Sequence, residues 1–452
     1  MLDGKPVRGF FRRLRTRVDA VLIAILFLVP WLELGGEPVL RLDLPHRRFH
    51  VLGLVIFPDE LLFLWLIVIG LALALFFFTA LAGRLWCGWG CPQSVFSDLF
   101  AGIARRLEGW RGTRAPARPS RAGVVATHLV WAALSLVIGF HLVAYFSAPR
   151  ELASDLLHRT VSGTRLGFLL AASGLAYFDF GIVRQTFCKY LCPYARFQGV
   201  LFDADTLVVA YDAARGEPRG KRGKAAGDCV DCGLCVAVCP TQIDIRQGLQ
   251  LECIACTQCI DACDGVMAKL GRAPRLIGYR AVSARAASAR ARILRPRVVA
   301  YGALLAAVVV AFAAALRERS PFEVFVGHNA ASLYATLSDG RPGNAYTLRL
   351  ENRDTVAHRL ELSLEAPAGF DLVTGVNPIE LAPTASRELR VFVAAPHVES
   401  ASLQPIAFTV ADVERPAARL RRSATFIFEG TPKRRRAHPW LRCAGRSGSR
   451  CS

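Results

Sequence analysis

Two runs of four cysteines lie back to back in this chain: Cys229, Cys232, Cys235 and Cys239, then Cys253, Cys256, Cys259 and Cys263. Each is spaced CxxCxxCxxxC, and Pro240 follows the first. This is the spacing with which bacterial two-cluster ferredoxins hold a pair of [4Fe–4S] cubes, the fourth cysteine of each run ligating the other cube. We therefore expect Cys229, Cys232, Cys235 and Cys263 on one cluster, with Cys253, Cys256, Cys259 and Cys239 on the other. Zinc sites pair CxxC units across a longer gap and need no third cysteine three residues on. A disulfide framework would need an oxidising compartment, which the charge pattern below argues against. The expected module, residues 215–271, is small, so the clusters themselves would supply much of its core. Ile243 and Ile245 alternate between the two motifs and predict a short strand there.

The 452 residues are long enough for two or three domains. A hydrophobic fraction of 53% with 20% charged residues is high for a soluble protein, and the apolar residues are bunched. Five stretches have the length of a membrane span: Val18 to Leu34, Leu61 to Gly83, Val124 to Phe146, Leu166 to Val183 and Val298 to Leu316. Basic clusters lie before the first, between the second and third, and before the fifth. They include Arg12, Arg13, Arg15 and Arg17, then Arg105 and Arg106, then Arg285, Arg290, Arg292 and Arg295. The other two loops mix both signs. By the positive-inside rule this alternation places the N-terminus inside, the cysteine-rich module in the cytoplasm and the C-terminus in the periplasm of a multi-pass inner-membrane protein. Val29 to Glu33 offers no small-x-small cleavage site, so the first span is expected to stay as an anchor. The net charge of +20 is spent flanking spans rather than on one face of a folded module, which argues for membrane lipid and against nucleic acid as the partner.

After the fifth span the pattern changes to period-two alternation. Tyr346, Leu348 and Leu350 share one face, as do Leu360, Leu362 and Leu364, then Leu389, Val391 and Val393, then Ile406, Phe408 and Val410. Turn residues separate these runs, and the segment 320–430 predicts an antiparallel β-sandwich without the antibody-type disulfide. No catalytic constellation lies in it. The predicted architecture is therefore a basic tail (1–17), four spans (18–200), a ferredoxin-like α+β module (215–271), a basic segment (272–297), a fifth span (298–316), an all-β immunoglobulin-like domain (320–430) and a disordered tail (431–452). Cys443 and Cys451 fall in that tail and receive no role.

Four cysteines remain. Trp86-Cys87-Gly88-Trp89-Gly90-Cys91-Pro92 follows the second span and Phe187-Cys188-Lys189-Tyr190-Leu191-Cys192-Pro193 the fourth. The CxxxCP motif and its aromatic surroundings repeat, which predicts two duplicated hairpins. Residues four apart on a helix share a face, so each motif is expected to present two thiols together. Packed side by side, the hairpins would gather Cys87, Cys91, Cys188 and Cys192 into one soft-ligand site suited to Cu(I), zinc or iron–sulfur. The alternative is that cysteine serves as a small residue beside a helix-ending proline. Only Met1 and Met267 occur, so a thioether copper site is absent. His128 and His141 share the third span but lie on roughly opposite faces, which disfavours haem.

The two CxxxCP motifs, the second extended by Tyr194-Ala195-Arg196-Phe197-Gln198, resemble those of the FixG/CcoG/RdxA family. So does the Cys263-Asp264-Gly265-Val266-Met267 ending of the second cluster motif. The resemblance covers residues 15–430 and leaves out only the tail. It implies a membrane-bound reductase that converts Cu(II) to Cu(I) for assembly of a cbb-type cytochrome c oxidase. Cys87, Cys91, Cys188 and Cys192 then carry over as the copper-handling residues and the other eight cysteines as cluster ligands. Copper transporters, copper chaperones or oxidase subunits are the implied partners, with an unidentified cytoplasmic electron donor. Two other readings stay open: a quinol dehydrogenase subunit of polyferredoxin type, and a non-catalytic copper-binding assembly factor.

Overall fold

The computed structural model describes residues 4–45, 47–110, 116, 119–201, 203, 205–220, 227–281, 293–328, 335–336, 340–396 and 403–428. The expected disordered tail with Cys443 and Cys451, and the arginines at 285, 290 and 292, lie outside these residues. The chain divides into two compact units, Met1–Arg317 and Glu318–Ser452.

In the first unit, α1 (Phe10–Leu28) is followed by a small meander of strands Leu40–Asp43, Arg48–Val51 and Leu54–Ile56. The chain then enters α2 (Leu61–Ala82), α3 (Leu85–Trp89) and α4 (Pro92–Leu107). Next come α5 (Arg121–Ala144), α6 (Pro149–His158) and α7 (Gly163–Ala176), the last continued by π-helical turns at Tyr177–Val183. A second π-helical turn, Phe187–Leu191, leads into α8 (Pro193–Leu201). The cysteine-rich module contributes α9 (Ala213–Gly216), α10 (Leu234–Ala237) and α11 (Gln258–Lys269), and α12 (Pro296–Arg317) closes the unit.

Among the described residues, four helical segments are long and apolar enough to cross a membrane: Leu61–Ala82, Arg121–Ala144, Gly163–Val183 and Pro296–Arg317. The first expected span, Val18 to Leu34, departs from this set. α1 is one helix from Phe10 to Leu28, and its first half carries Arg12, Arg13, Arg15, Arg17 and Asp19. Its apolar half is too short by itself, yet the helix ends level with α5, because the Tyr145 hydroxyl just past α5 donates to the Leu26 carbonyl at 2.8 Å. One face of the charged half packs on protein while Arg13 and Arg17 stay exposed: Arg15 is 1% exposed and pairs with Asp98 of α4 at 3.1 Å, and Arg12 pairs with the same carboxylate at 2.5 Å. A buried guanidinium is tolerable only with such a partner.

Helices α2 and α12 run antiparallel. The Phe63 and Phe312 rings meet edge to face at 5.6 Å at one end. At the other, the Arg295 guanidinium donates to the Ala80 carbonyl at 2.7 Å. The cysteine-rich module packs at this second end. Its two-stranded sheet pairs Val208–Tyr211 with Ile277–Arg280, both outside the expected 215–271, so the folded module reaches beyond the cysteine motifs on each side. No strand forms at Ile243 and Ile245. The Asp244 carboxylate accepts from the Arg246 amide and opens a 3₁₀ turn, Ile245–Gln247, that still buries both isoleucines. The N-terminal tail staples the module to the bundle. Asp261 of α11 caps the free amides of Phe11 and Arg12 at 3.1 and 2.7 Å, the partners a helix N-terminus needs.

The second unit is the expected sandwich. One sheet orders its strands Asp371–Val373, Ser386–Ala394, Pro342–Asn352 and Phe322–His328, with Ala335–Thr336 also pairing on Pro342–Asn352. The other orders Ile379–Leu381, His358–Glu365, Leu403–Asp412 and Arg419–Ile427. The alternating residues meet between the sheets, and Tyr346, Leu348, Leu350, Leu360, Val391, Val393, Phe408 and Val410 are all fully buried.

Candidate redox site

Two cavities lie inside the cysteine-rich module. The first is lined by Cys229, Cys232, Cys235 and Cys263 among mostly apolar neighbours such as Met267, Leu276 and Ile277. The second is lined by Cys253, Cys256, Cys259 and Cys239 with Ile243, Ile245 and Ile254. Each therefore takes three thiols from one run and the fourth from the other. The local cause is α11, which carries Cys259 and Cys263 one turn apart along its axis. The loops that carry the central cysteines repeat one conformation. Asp231 and Gly233 flank Cys232 with φ of 52° and 66°, and Ala255 and Thr257 flank Cys256 with φ of 53° and 64°. Positive φ is costly for aspartate, alanine and threonine, and such strain gathers at functional sites. Backbone curled in this way also turns N–H groups toward an anion.

Burial pushes the Cys256 and Cys263 thiols up to about 12 and Cys235 to about 11, each reinforced by neighbouring sulfur or carboxylate charge. Arg15, Arg246 and backbone amides offset it only in part. Without metal these three buried thiols stay protonated, and a ligand charged enough to displace their protons fits the cradles best. Four soft donors in an apolar wall are the donor set of an iron–sulfur cube. Among the described residues no three His, Cys, Asp or Glu side chains converge as a single-ion site, so the thiols of each cradle ring a cavity rather than a point.

The CxxxCP pair is built differently from its expectation. Cys87 and Cys91 do not share one helix face. Cys87 sits on α3, whereas Cys91 is the extended N-cap of α4 (φ −72°, ψ 125°) and Pro92 is that helix's first residue. Cys188 likewise sits on the π-helical turn, and Cys192 (φ −71°, ψ 113°) precedes Pro193 of α8. Proline forces the residue before it out of the helical region, so CxxxCP breaks the helix between its cysteines. The repeat is close in other respects. The Cys91 and Cys192 amides donate to the carbonyls of Trp86 and Phe187, both at 2.9 Å and five residues back. Gly83 and Arg184, each four residues before the first cysteine, share φ values of 55° and 52°.

The two hairpins are also strapped together. The Gln93 amide donates to Asp179 at 3.0 Å and to the Arg184 carbonyl at 2.8 Å, and the Tyr194 hydroxyl meets Thr79 at 2.7 Å. The Cys87 thiol donates to Gln198 at 3.3 Å. This packing brings the four thiols into one electrostatic neighbourhood. Burial, followed by the charges of the other thiols, raises Cys87 and Cys188 to about 12. Burial also raises Cys91, against amide hydrogen bonds from Gln93 and Ser94.

Cys87 and Cys188 pack into a single apolar cluster with Ile254, Tyr194 and Cys256, so the thiol quartet abuts the wall of the second cradle. The first cradle lies at the exposed side, where Cys232 is open to solvent. Around this junction stand residues to which sequence patterning gave no role: Arg84, Gly88, Gln93, Asp179 and Gln198. Gln93 and Gln198 lie within the repeated motifs, but nothing in their spacing announces that they cross between hairpins. His128 meets the Tyr177 hydroxyl at 2.7 Å, and His141 stacks on Phe27 with ring centroids 4.5 Å apart.

A family model described as a 4Fe-4S dicluster domain matches residues 183–282, and one described as a 4Fe-4S binding domain matches 62–111. A third, described as an IG-like fold at the C-terminal of FixG, matches 312–429. The chain is similar to Protein RdxA of Cereibacter sphaeroides, 38% identical over 388 residues that cover 81% of this chain and 82% of that protein. Protein RdxB of the same organism is 36% identical over 409 residues, covering 85% and 86%. The nitrogen fixation protein FixG of Rhizobium meliloti is 34% identical over 457 residues, covering 87% and 86%.

Proposed function

The chain belongs to the RdxA/FixG family of membrane-bound iron–sulfur electron-transfer proteins, and we propose that it is a cupric reductase acting at Cys87, Cys91, Cys188 and Cys192. Cys229, Cys232, Cys235 and Cys263 would hold one [4Fe–4S] cluster, and Cys253, Cys256, Cys259 and Cys239 the other. Bound there, the clusters supply electrons singly. The observation that carries the reading is the apolar packing of Cys87 and Cys188 against Ile254 and Cys256, which sets the quartet directly beside the second cradle.

The residues then divide the work. The exposed Cys232 side of the first cradle faces an incoming one-electron donor, and the second cradle faces the quartet. Cu(II) arriving at the thiols takes up one electron and becomes Cu(I), which soft sulfur donors prefer, so binding and reduction favour the same product. The buried thiols give up protons as they ligate it. We place the module in the cytoplasm and the C-terminal domain in the periplasm. Arg12, Arg105 and Arg106 support this, because they cluster at the bundle end that carries the module. A copper chaperone, copper transporter or cbb-type oxidase subunit would then receive the Cu(I).

A second reading has one observation in its favour. The matched 4Fe-4S binding model over 62–111 encloses only Cys87 and Cys91 as cysteines, so the quartet itself would hold iron. Iron analysis separates the two, with about eight atoms per chain expected for two cubes and about twelve for three. The functional test is anaerobic addition of Cu(II) to the dithionite-reduced protein with a Cu(I)-specific chelator present. Cluster reoxidation matched by Cu(I) formation, and lost on changing the quartet to serine, is the expected result. Reoxidation that persists in the quadruple variant removes copper reduction from this site.

A further inference from the structure

The segment from the end of α2 through the first CxxxCP motif is pressed closely onto the second cradle. A Cβ placed on Gly88 would stand 2.6 Å from the Ala255 carbonyl oxygen and 2.7 Å from that of Ile254. Both are backbone atoms of the loop between Cys253 and Cys256, so neither can swing aside. Four residues earlier is Arg84, 4% exposed. Its guanidinium donates to the carbonyls of Leu251 and Cys253 (3.1 Å for the second) on that loop, and to Ala195 of α8 at 2.6 Å. One planar fork thus ties the second cradle, the α2–α3 turn and the helix behind the second CxxxCP motif. A lysine, with a single point of charge, cannot span all three as well. The same positive charge acts on the thiols of both Cys87 and Cys253.

We propose that Arg84 and Gly88 form the electron-transfer junction of this protein: Gly88 sets how closely the quartet approaches the second cradle, and Arg84 sets the driving force across it. Both are positioning residues. The inference rests on the copper-reductase reading for the identity of the acceptor, but not for the effect on the second cradle. The sign follows from charge. A cluster becomes more negative on reduction, a nearby cation favours that state, and removing the cation lowers the reduction potential. The first cradle lies away from Arg84 and is unaffected.

The test compares Arg84→Gln, Arg84→Lys and Gly88→Ala in the full-length protein. Iron content and Cu(I) affinity are measured first, then cluster potentials by titration followed by electron paramagnetic resonance. Anaerobic reoxidation is then timed with Cu(II) and, separately, with ferricyanide, a soluble oxidant that bypasses the quartet. Arg84→Gln lowers one cluster potential and leaves the other alone, and Arg84→Lys restores it while still slowing transfer to copper. Gly88→Ala keeps full iron, both potentials and Cu(I) affinity, yet slows copper-driven reoxidation by roughly tenfold or more, since small displacements of reacting centres are expensive. Its ferricyanide rate stays that of the parent. Unchanged potentials in Arg84→Gln, or a parental copper rate in Gly88→Ala, overturns the proposal. Should Arg84→Gln lose iron, Arg84→Lys and Gly88→Ala decide the matter. A parent protein that copper fails to reoxidise refutes the copper reading, while the potential shift still tests Arg84.

Discussion

Replacing Cys263 by serine tests the crossed ligand sets, because this residue belongs to the second run by sequence and to the first cradle by position. Cys263 lines the cavity of Cys229, Cys232 and Cys235, and Cys239 lines that of Cys253, Cys256 and Cys259. Losing one of four thiolates from a cradle whose remaining wall is apolar leaves nothing nearby to complete the ligation. Each single variant should therefore fall from about eight iron atoms per chain to about four. The crossing shows in pairs. Cys232→Ser with Cys263→Ser removes two ligands from one cradle and should still retain about four iron atoms. Cys253→Ser with Cys263→Ser, both from the second run, strikes both cradles and should retain almost none. Iron and acid-labile sulfide analysis on anaerobically purified protein gives the count, and electron paramagnetic resonance of the reduced form shows which cluster survives. Matching spectra for Cys232→Ser and Cys263→Ser, distinct from that of Cys239→Ser, are expected. If Cys263→Ser instead matches Cys256→Ser, each run wraps its own cube and the structural reasoning fails.

Two further outcomes follow from charge burial. Asp98→Asn strips the main counter-charge from Arg15, which is 1% exposed, and should destabilise the first unit by about 3–5 kcal/mol in detergent-solubilised unfolding; a loss below about 1 kcal/mol would contradict the buried-pair account. Although burial opposes it, Arg15 and Arg12 hold the Asp98 carboxyl below its usual range, so this contribution is present above the ordinary carboxylate range and disappears as pH falls through the lowered value. Cu(I) affinity of the quartet should rise by about tenfold per pH unit for each thiolate formed, and keep rising past pH 9, because Cys87 and Cys188 stay protonated up to about 12. Competition titrations with a Cu(I) chelator between pH 6 and about 10 would show this, and a plateau near neutrality would mean thiolates already present in the free protein.

Much of this molecule was legible residue by residue. Alternation at Tyr346, Leu348 and Leu350 can satisfy only a half-buried strand, and these side chains do fill the sandwich core. Long apolar runs announce spans for the same local reason. The reading of α1 was less complete, because hydropathy counts Arg15 as a cost and cannot see that Asp98, far along the chain, removes it. The proline after Cys91 and Cys192 carried the signal that the motif straddles two helices, and helical periodicity alone pointed the other way.

Spacing by itself determined which cysteines form two cluster motifs, where four of the five expected membrane segments lie and that the last domain is all β. These are properties of consecutive residues, governed by reach, periodicity and burial along one element. Only the tertiary structure decided that Cys87 and Cys188 lie against Cys256, that Gly88 has no space for a side chain, and that Arg84 reaches three carbonyls on two other segments. Such contacts join residues far apart in the chain. They arise from the packing of duplicated hairpins on the module, which no local pattern encodes.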